Sequence, residues 1–197
     1  MRLAVFGGAF DPFHSGHLAV IRELLSHDLC DRVLVVPAGR SPLKPPPQAT
    51  GADRLAMVRL GVAGLDGVEV WDGELGRDGP SWTVDTLETL AGLHPHDRLL
   101  LVLGEDAWRG LSGWRRPQRV LELASPLVIA RDGRAPDPAT LPPGSTVLPD
   151  FAAPAASREI RDRLRRGEPA ADLLPPAVAT YVRERRLYGG GKDLPCR

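Results

Sequence analysis

The chain has 197 residues, 43% of them hydrophobic, with 25 basic and 25 acidic side chains and a formal net charge of zero. That length supports one full core, and the balanced charge provides no basic field to draw in a nucleic-acid polymer. Its two cysteines, Cys30 and Cys196, cannot form a disulfide framework, so a reducing, cytoplasmic setting is expected. No apolar run approaches the ~18 residues needed to cross a bilayer, so no membrane partner is expected. The N-terminus lacks the basic-then-apolar pattern of a signal peptide.

In chain order, residues 2–6 (RLAVF) read as a buried strand, followed by a glycine turn and a helix over 16–26. Residues 32–37 (RVLVVP) read as a valine-rich strand. The stretch 38–53 (AGRSPLKPPPQATGAD) is a long loop whose three consecutive prolines exclude helix. A helix is expected over 53–63, with Leu55, Val58, Leu60 and Val62 among its apolar positions, then a strand at 68–71. Residues 83–93 (TVDTLETLAGL) are amphipathic, with Val84, Leu87, Leu90 and Leu93 on one side. Residues 98–103 (RLLLVL) read as a fully buried strand, 117–124 as a short helix and 127–130 as a strand. A second proline-rich loop covers 130–146, and a short strand follows at 146–148. Helices close the chain at 157–166, with Ser157 as expected N-cap, and at 177–185.

Strands that are apolar throughout, alternating with helices, predict an α/β fold. The expected form is a doubly wound parallel sheet with helices on both faces and a small C-terminal helical region. The two proline-rich loops read as rims of a site rather than as boundaries. Residues 1–188 are therefore expected to form one domain, and 189–197 a flexible tail.

The chemistry concentrates in GGAFDPFHSGHL, residues 7–18. Gly7 and Gly8 follow the first strand directly and let the backbone approach a ligand. The next helix start offers N–H groups and the positive end of a dipole. The turn matches neither GxGxxG nor GxxxxGK[ST]. His14 and His17 could ligate metal, cap the helix or donate to phosphate. A zinc site normally takes three or four protein ligands; neither cysteine is usefully spaced from the pair, and no HExxH occurs. No metal ligand is assigned. Taken as one unit, the glycines admit phosphate, the proline sets the turn and Gly16 leaves room beside the imidazoles.

That unit resembles the signature of the HxGH nucleotidyltransferase superfamily. Over roughly residues 1–188 the chain resembles bacterial nicotinate mononucleotide adenylyltransferases. The further matching segments are VPAGRSPLK, RLAMVRL, PSWTVDTLETL, LVLGEDAWRGLSGWRRPQRVLELA and LLPPAVATYVRERRLY, in family order. The resemblance implies a Rossmann-like fold and transfer of an adenylyl group from ATP to nicotinate mononucleotide, giving deamido-NAD and pyrophosphate. It implies His14 and His17 as catalytic donors to ATP phosphates, with Mg2+ carried on the triphosphate. ATP-binding candidates are Gly7, Gly8, Phe10, His14, His17, Gly104, Asp106, Ser157, Arg158 and Arg161. Mononucleotide-binding candidates are Lys44, Thr83, Trp114 and Arg115, with Trp114 stacking on the pyridine ring.

The chain departs from the family at two places. Leu43 stands where histidine often precedes the lysine. In AASREIR the family pattern ISSTxIR keeps only Ser157, Ile160 and Arg161, while Ala156 and Arg158 replace a serine and the threonine. Competing readings are a relative acting on nicotinamide mononucleotide, phosphopantetheine or a cytidylyl acceptor, or a non-catalytic nucleotide-binding descendant.

Overall fold

A computed structural model of the chain describes residues 1–42, 45–130, 136–137, 140–148 and 156–189. Six parallel strands lie in the order β3-β2-β1-β4-β5-β6. They are β1 (Arg2–Gly8), β2 (Arg32–Pro37), β3 (Val68–Val70), β4 (Arg98–Gly104), β5 (Ser125–Ile129) and β6 (Thr146–Leu148). The helices are α1 (Ser15–Ser26), α2 (Gly51–Val62), α3 (Thr83–Leu93), α4 (Glu105–Arg109), α5 (Pro117–Leu123), α6 (Ser157–Arg165) and α7 (Pro176–Glu184).

Behind the arginines that open them, β1, β2 and β4 carry no polar side chain, because successive side chains enter opposite cores. Ala4, Phe6, Val33, Val35, Leu100 and Val102 point into one core, shared with Ile21 and Leu24 of α1, Met57 and Val58 of α2, Ile160 of α6 and Val178 of α7. Leu3, Val5, Leu34, Val36, Leu99, Leu101 and Leu103 point into the other, with Val84, Leu87 and Leu90 of α3 and Val120 of α5. Trp71, Trp82, Trp108 and Trp114 border this second core, half-buried.

Strand order reverses at β1: the chain winds outward through β2 and β3, then returns to the other side of β1 for β4. β1 stays paired with β2 as far as Gly8 and Pro37, but its register with β4 stops at Val5 and Leu101. Both strands run on beyond that point, so their carboxyl ends part. A crevice at such a reversal is where doubly wound sheets take ligands.

Several expected elements shift. β1 runs two residues further, to Gly8, and α4 arises in GEDAWRG, which carries too few apolar residues to show a helical period. α2 starts at Gly51, capped by Thr50, and turns Met57, Val58, Gly61 and Val62 inward rather than Leu55 and Leu60. Gly61 decides that rotation: a Cβ there would sit 2.3 Å from the Phe13 ring, so glycine lets α2 close on the core. Ser157 is the first helical residue of α6, not its N-cap; Ala156 holds that place without a side-chain bond. The polypeptide through Tyr188 packs on the first core, and no helix of the described residues is long and apolar enough to cross a membrane.

Candidate active site

The turn after β1 is built on buried aromatic rings. Phe10 has a positive φ of 50° and is only 2% exposed. Its ring centroid lies 5.6 Å from Phe6, 5.7 Å from Phe13 and 4.9 Å from His17. The ring belongs to the core, edge-on to His17, so a contact of Phe10 with ATP would be made by its main chain. Gly8 packs over the same ring, at 3.0 Å from an added Cβ. At Gly7 and Gly104, which end the described parting of β1 and β4, an added Cβ would meet nothing within 4 Å. Packing does not require glycine at either position, whereas close approach of a ligand would.

His14 is the N-cap of α1 in an extended conformation. His17 N donates to His14 Nδ1 at 3.4 Å, and His14 N donates to His17 Nδ1 at 3.2 Å. The arrangement is a reciprocal capping box in which imidazoles replace the usual hydroxyl and carboxylate. The rings stack with centroids 3.7 Å apart. An Nδ1 that accepts a backbone N–H carries no proton, so each neutral ring holds its proton on Nε2 and offers a donor there. The cap and the donor reading of the pair are thus both served by the same rings.

α6 is tied to this turn. Ser157 Oγ donates to the Pro12 carbonyl at 3.3 Å, and Arg161 Nη1 donates to the Asp11 carbonyl at 2.6 Å. Arg158 is not brought in: its side chain is 90% exposed and meets Asp162 at 3.9 Å. Asp106 is exposed in the first turn of α4, beside Glu105, which is buried and paired with Arg109.

On the second core, Thr83 opens α3 behind the N-cap Trp82. The Arg115 guanidinium lies 5.3 Å over the Trp82 ring, so 82–83 and 114–115 form one edge. Trp114 is half-buried on the second core there. Lys44 and Leu43 lie outside the described residues.

Three buried ionic groups that sequence reading missed hold these loops. Arg54, 3% exposed, donates from Nη1 to the carbonyls of Ala9 at 2.8 Å and Ala38 at 2.6 Å, joining the turns after β1 and β2. Burial lowers its pKa from the ordinary guanidinium value. Glu74 accepts from Thr86 Oγ1 at 2.7 Å and from Gly39 N at 3.4 Å, and Ser81 Oγ accepts from Arg40 N. Asp11 accepts the amides of Gln48 at 2.8 Å and Ala49 at 3.0 Å, and the Tyr188 hydroxyl at 2.8 Å. The one signal for Asp11 was its place inside the signature; Arg54 and Glu74 are single charges without pattern.

The cytidylyltransferase-like family profile matches residues 5–163. The chain is 38% identical over 207 residues to the Pseudomonas entomophila protein named "Probable nicotinate-nucleotide adenylyltransferase", covering 95% of this chain and 94% of that one. It is 38% identical over 188 residues to the Thermus thermophilus protein of the same name, covering 95% and 100%. The chain belongs to the nicotinate-nucleotide adenylyltransferases of the cytidylyltransferase-like family. The same fold appears in the Plasmodium falciparum nicotinic acid mononucleotide adenylyltransferase complexed with NaAD, with a TM-score of 0.80 at 18% identity over 96% of this chain and 98% of that one. As an adenylyltransferase the chain uses ATP. Among the described residues no three His, Cys, Asp or Glu side chains gather as a metal cage, and the donors at the turn are N–H groups suited to anions.

Proposed function

We propose that the crevice between β1 and β4 joins ATP to nicotinate mononucleotide, giving deamido-NAD and pyrophosphate, in the cytoplasm and on the unit 1–188. The observation that carries this reading is the His14–His17 capping box at the parting of β1 and β4.

The mononucleotide phosphate is already anionic at neutral pH, so its oxygen attacks the α-phosphorus without a general base. The bond to the β-phosphate oxygen breaks and pyrophosphate leaves with the electron pair. The protein's task is to align two polyanions and offset charge at phosphorus. His14 and His17 donate to the phosphate oxygens, helped by the α1 dipole. Gly7, Gly8 and Gly104 let the nucleotide lie against the backbone, and Asp106 accepts from a ribose hydroxyl. Ser157 and Arg161 border the triphosphate from α6. Mg2+ enters as part of the nucleotide, held by phosphate oxygens and water. Lys44 receives the acceptor phosphate, Trp114 stacks on the pyridine, and N–H groups near Thr83 and Arg115 meet the ring carboxylate.

The test is pyrophosphate release with ATP and, separately, nicotinate mononucleotide, nicotinamide mononucleotide and phosphopantetheine. Nicotinate mononucleotide is expected to give the highest kcat/KM. Equal kcat/KM for acid and amide would refute the carboxylate-reading pocket, and turnover only with phosphopantetheine would refute the proposed acceptor class.

A further inference from the structure

We infer that Asp11 is a positioning residue that holds helix α6 and the loop 45–50 in register, so that the nucleotide side and the acceptor side of the site set each other. This rests on the functional reading above. Asp11 is 4% exposed; its side chain receives donors from two segments distant in sequence, and a third contributes a cation. Oδ2 accepts from Gln48 N at 2.8 Å, while Oδ1 accepts from Ala49 N at 3.0 Å and from Tyr188 Oη at 2.8 Å. Arg161 Nη1, on α6, donates to the Asp11 carbonyl and stands 3.8 Å from Oδ2.

A buried carboxylate persists only where its lone pairs and its charge are met. Here that requirement is satisfied only when α6, the loop beyond Lys44 and the C-terminal turn are all in place. The sequence of α6 supports the same conclusion. Of the polar positions in the family pattern, this chain retains Ser157 and Arg161, and these are the two side chains that reach Pro12 and Asp11. The substituted Arg158 faces solvent. What has been kept is therefore the attachment of α6 to the turn.

The experiment compares Asp11→Asn and Tyr188→Phe with the wild type. Asparagine puts an amide donor where one of the received N–H or O–H groups now points, and removes the charge facing Arg161. KM for ATP and KM for the acceptor should both rise about tenfold or more, with kcat changing less. Tyr188→Phe removes one of the two donors to Oδ1, the atom that also holds Ala49 N, and leaves the Arg161 contact. It should raise the acceptor KM several-fold and leave the ATP KM within about twofold.

A second readout needs no turnover: amide exchange at Gln48 and Ala49 with and without a non-hydrolysable ATP analogue. In the wild type the analogue should slow both amides, and in Asp11→Asn the response should vanish. A chain that released no pyrophosphate with any acceptor would defeat the functional reading while this coupling stayed measurable. An analogue without effect on Gln48 and Ala49 in the wild type would overturn the inference. So would a folded Asp11→Asn with an unchanged acceptor KM. If Asp11→Asn does not fold, Tyr188→Phe decides, and an unchanged acceptor KM there overturns it.

Discussion

In the His14–His17 pair Nδ1 of each ring completes the start of α1, which in a neutral imidazole puts the proton on Nε2. Substitutions can separate the two. Asparagine is among the best N-caps, and His14→Asn keeps an oxygen for the His17 amide. It should melt within about 0.5 kcal/mol of the wild type yet lose roughly 100- to 1000-fold in kcat, as expected for one lost donor. His17→Ala keeps the bond from its own N–H to His14 but loses the reciprocal one from His14 N together with the donor, so about 0.5–1.5 kcal/mol of stability should go with the activity. Thermal melts beside pyrophosphate release check both, and near-wild-type kcat in His14→Asn would sink the donor role. Arg158 calls for the opposite forecast. Its charge opposes the α6 dipole and its pairing with Asp162 is long and solvent-exposed. Arg158→Ala should leave the ATP KM within about twofold, a few tenths of a kcal/mol. A tenfold rise would place this arginine on the triphosphate.

At the scale of elements, α2 shows how a helix start can carry tertiary structure. Thr50 Oγ1 accepts from Asp53 N at 3.1 Å and donates to Asp53 Oδ2 at 2.6 Å. Tyr181 of α7 donates to Asp53 Oδ1 at 2.9 Å, and Arg185 pairs with the same oxygen. The Thr50 hydroxyl first, then Tyr181 and Arg185, hold the Asp53 carboxyl below the usual carboxylate range. A depressed folded-state pKa means stability that is complete above the unfolded value of about 3.9 and lost as pH falls through the folded value. Asp53→Asn should therefore lower Tm at pH 7, and the gap to the wild type should narrow as pH falls below the unfolded carboxylate value of about 3.9. A gap that stays constant from pH 7 to pH 2 would contradict the assignment. The strands and long helices were legible because continuous apolar runs and helical periods are local signals. α4 was not, since five residues, EDAWR, are too short for a period. The core face of α2 was not legible, because a glycine, invisible to hydrophobic patterning, sits where that helix packs against Phe13.

For the whole molecule, alternation along each central strand feeds two cores, and the parting of β1 from β4 puts the signature at the reversal of strand order. The outer strands β3 and β6 are three residues each, which leaves little edge for unwanted pairing. The contiguous part of the candidate site, Gly7 to His17, was readable because one short segment holds it. The supports were not readable, since Asp11 meets Arg161 and Tyr188 across 150 and 177 positions, and Arg54 meets Ala9 across 45. No local pattern records such partners. The turn of the Phe10 ring into the core, edge-on to His17, was not legible either, since hydrophobic patterning says nothing of where a ring in a glycine turn points.

The bond between Tyr188 and Asp11 also has a consequence in time. A growing polypeptide acquires Asp11 early and its hydroxyl partner 177 residues later. At roughly 5–20 residues per second, about 9–35 s of synthesis separate the two. During that interval the carboxylate beside the histidines lacks the last of its donors, so the nascent enzyme has its signature turn before it has a finished crevice. The acceptor would then find a finished seat only on chains translated through the closing turn, and a ribosome stalled in α7 would carry a sheet whose acceptor loop is not yet fully held.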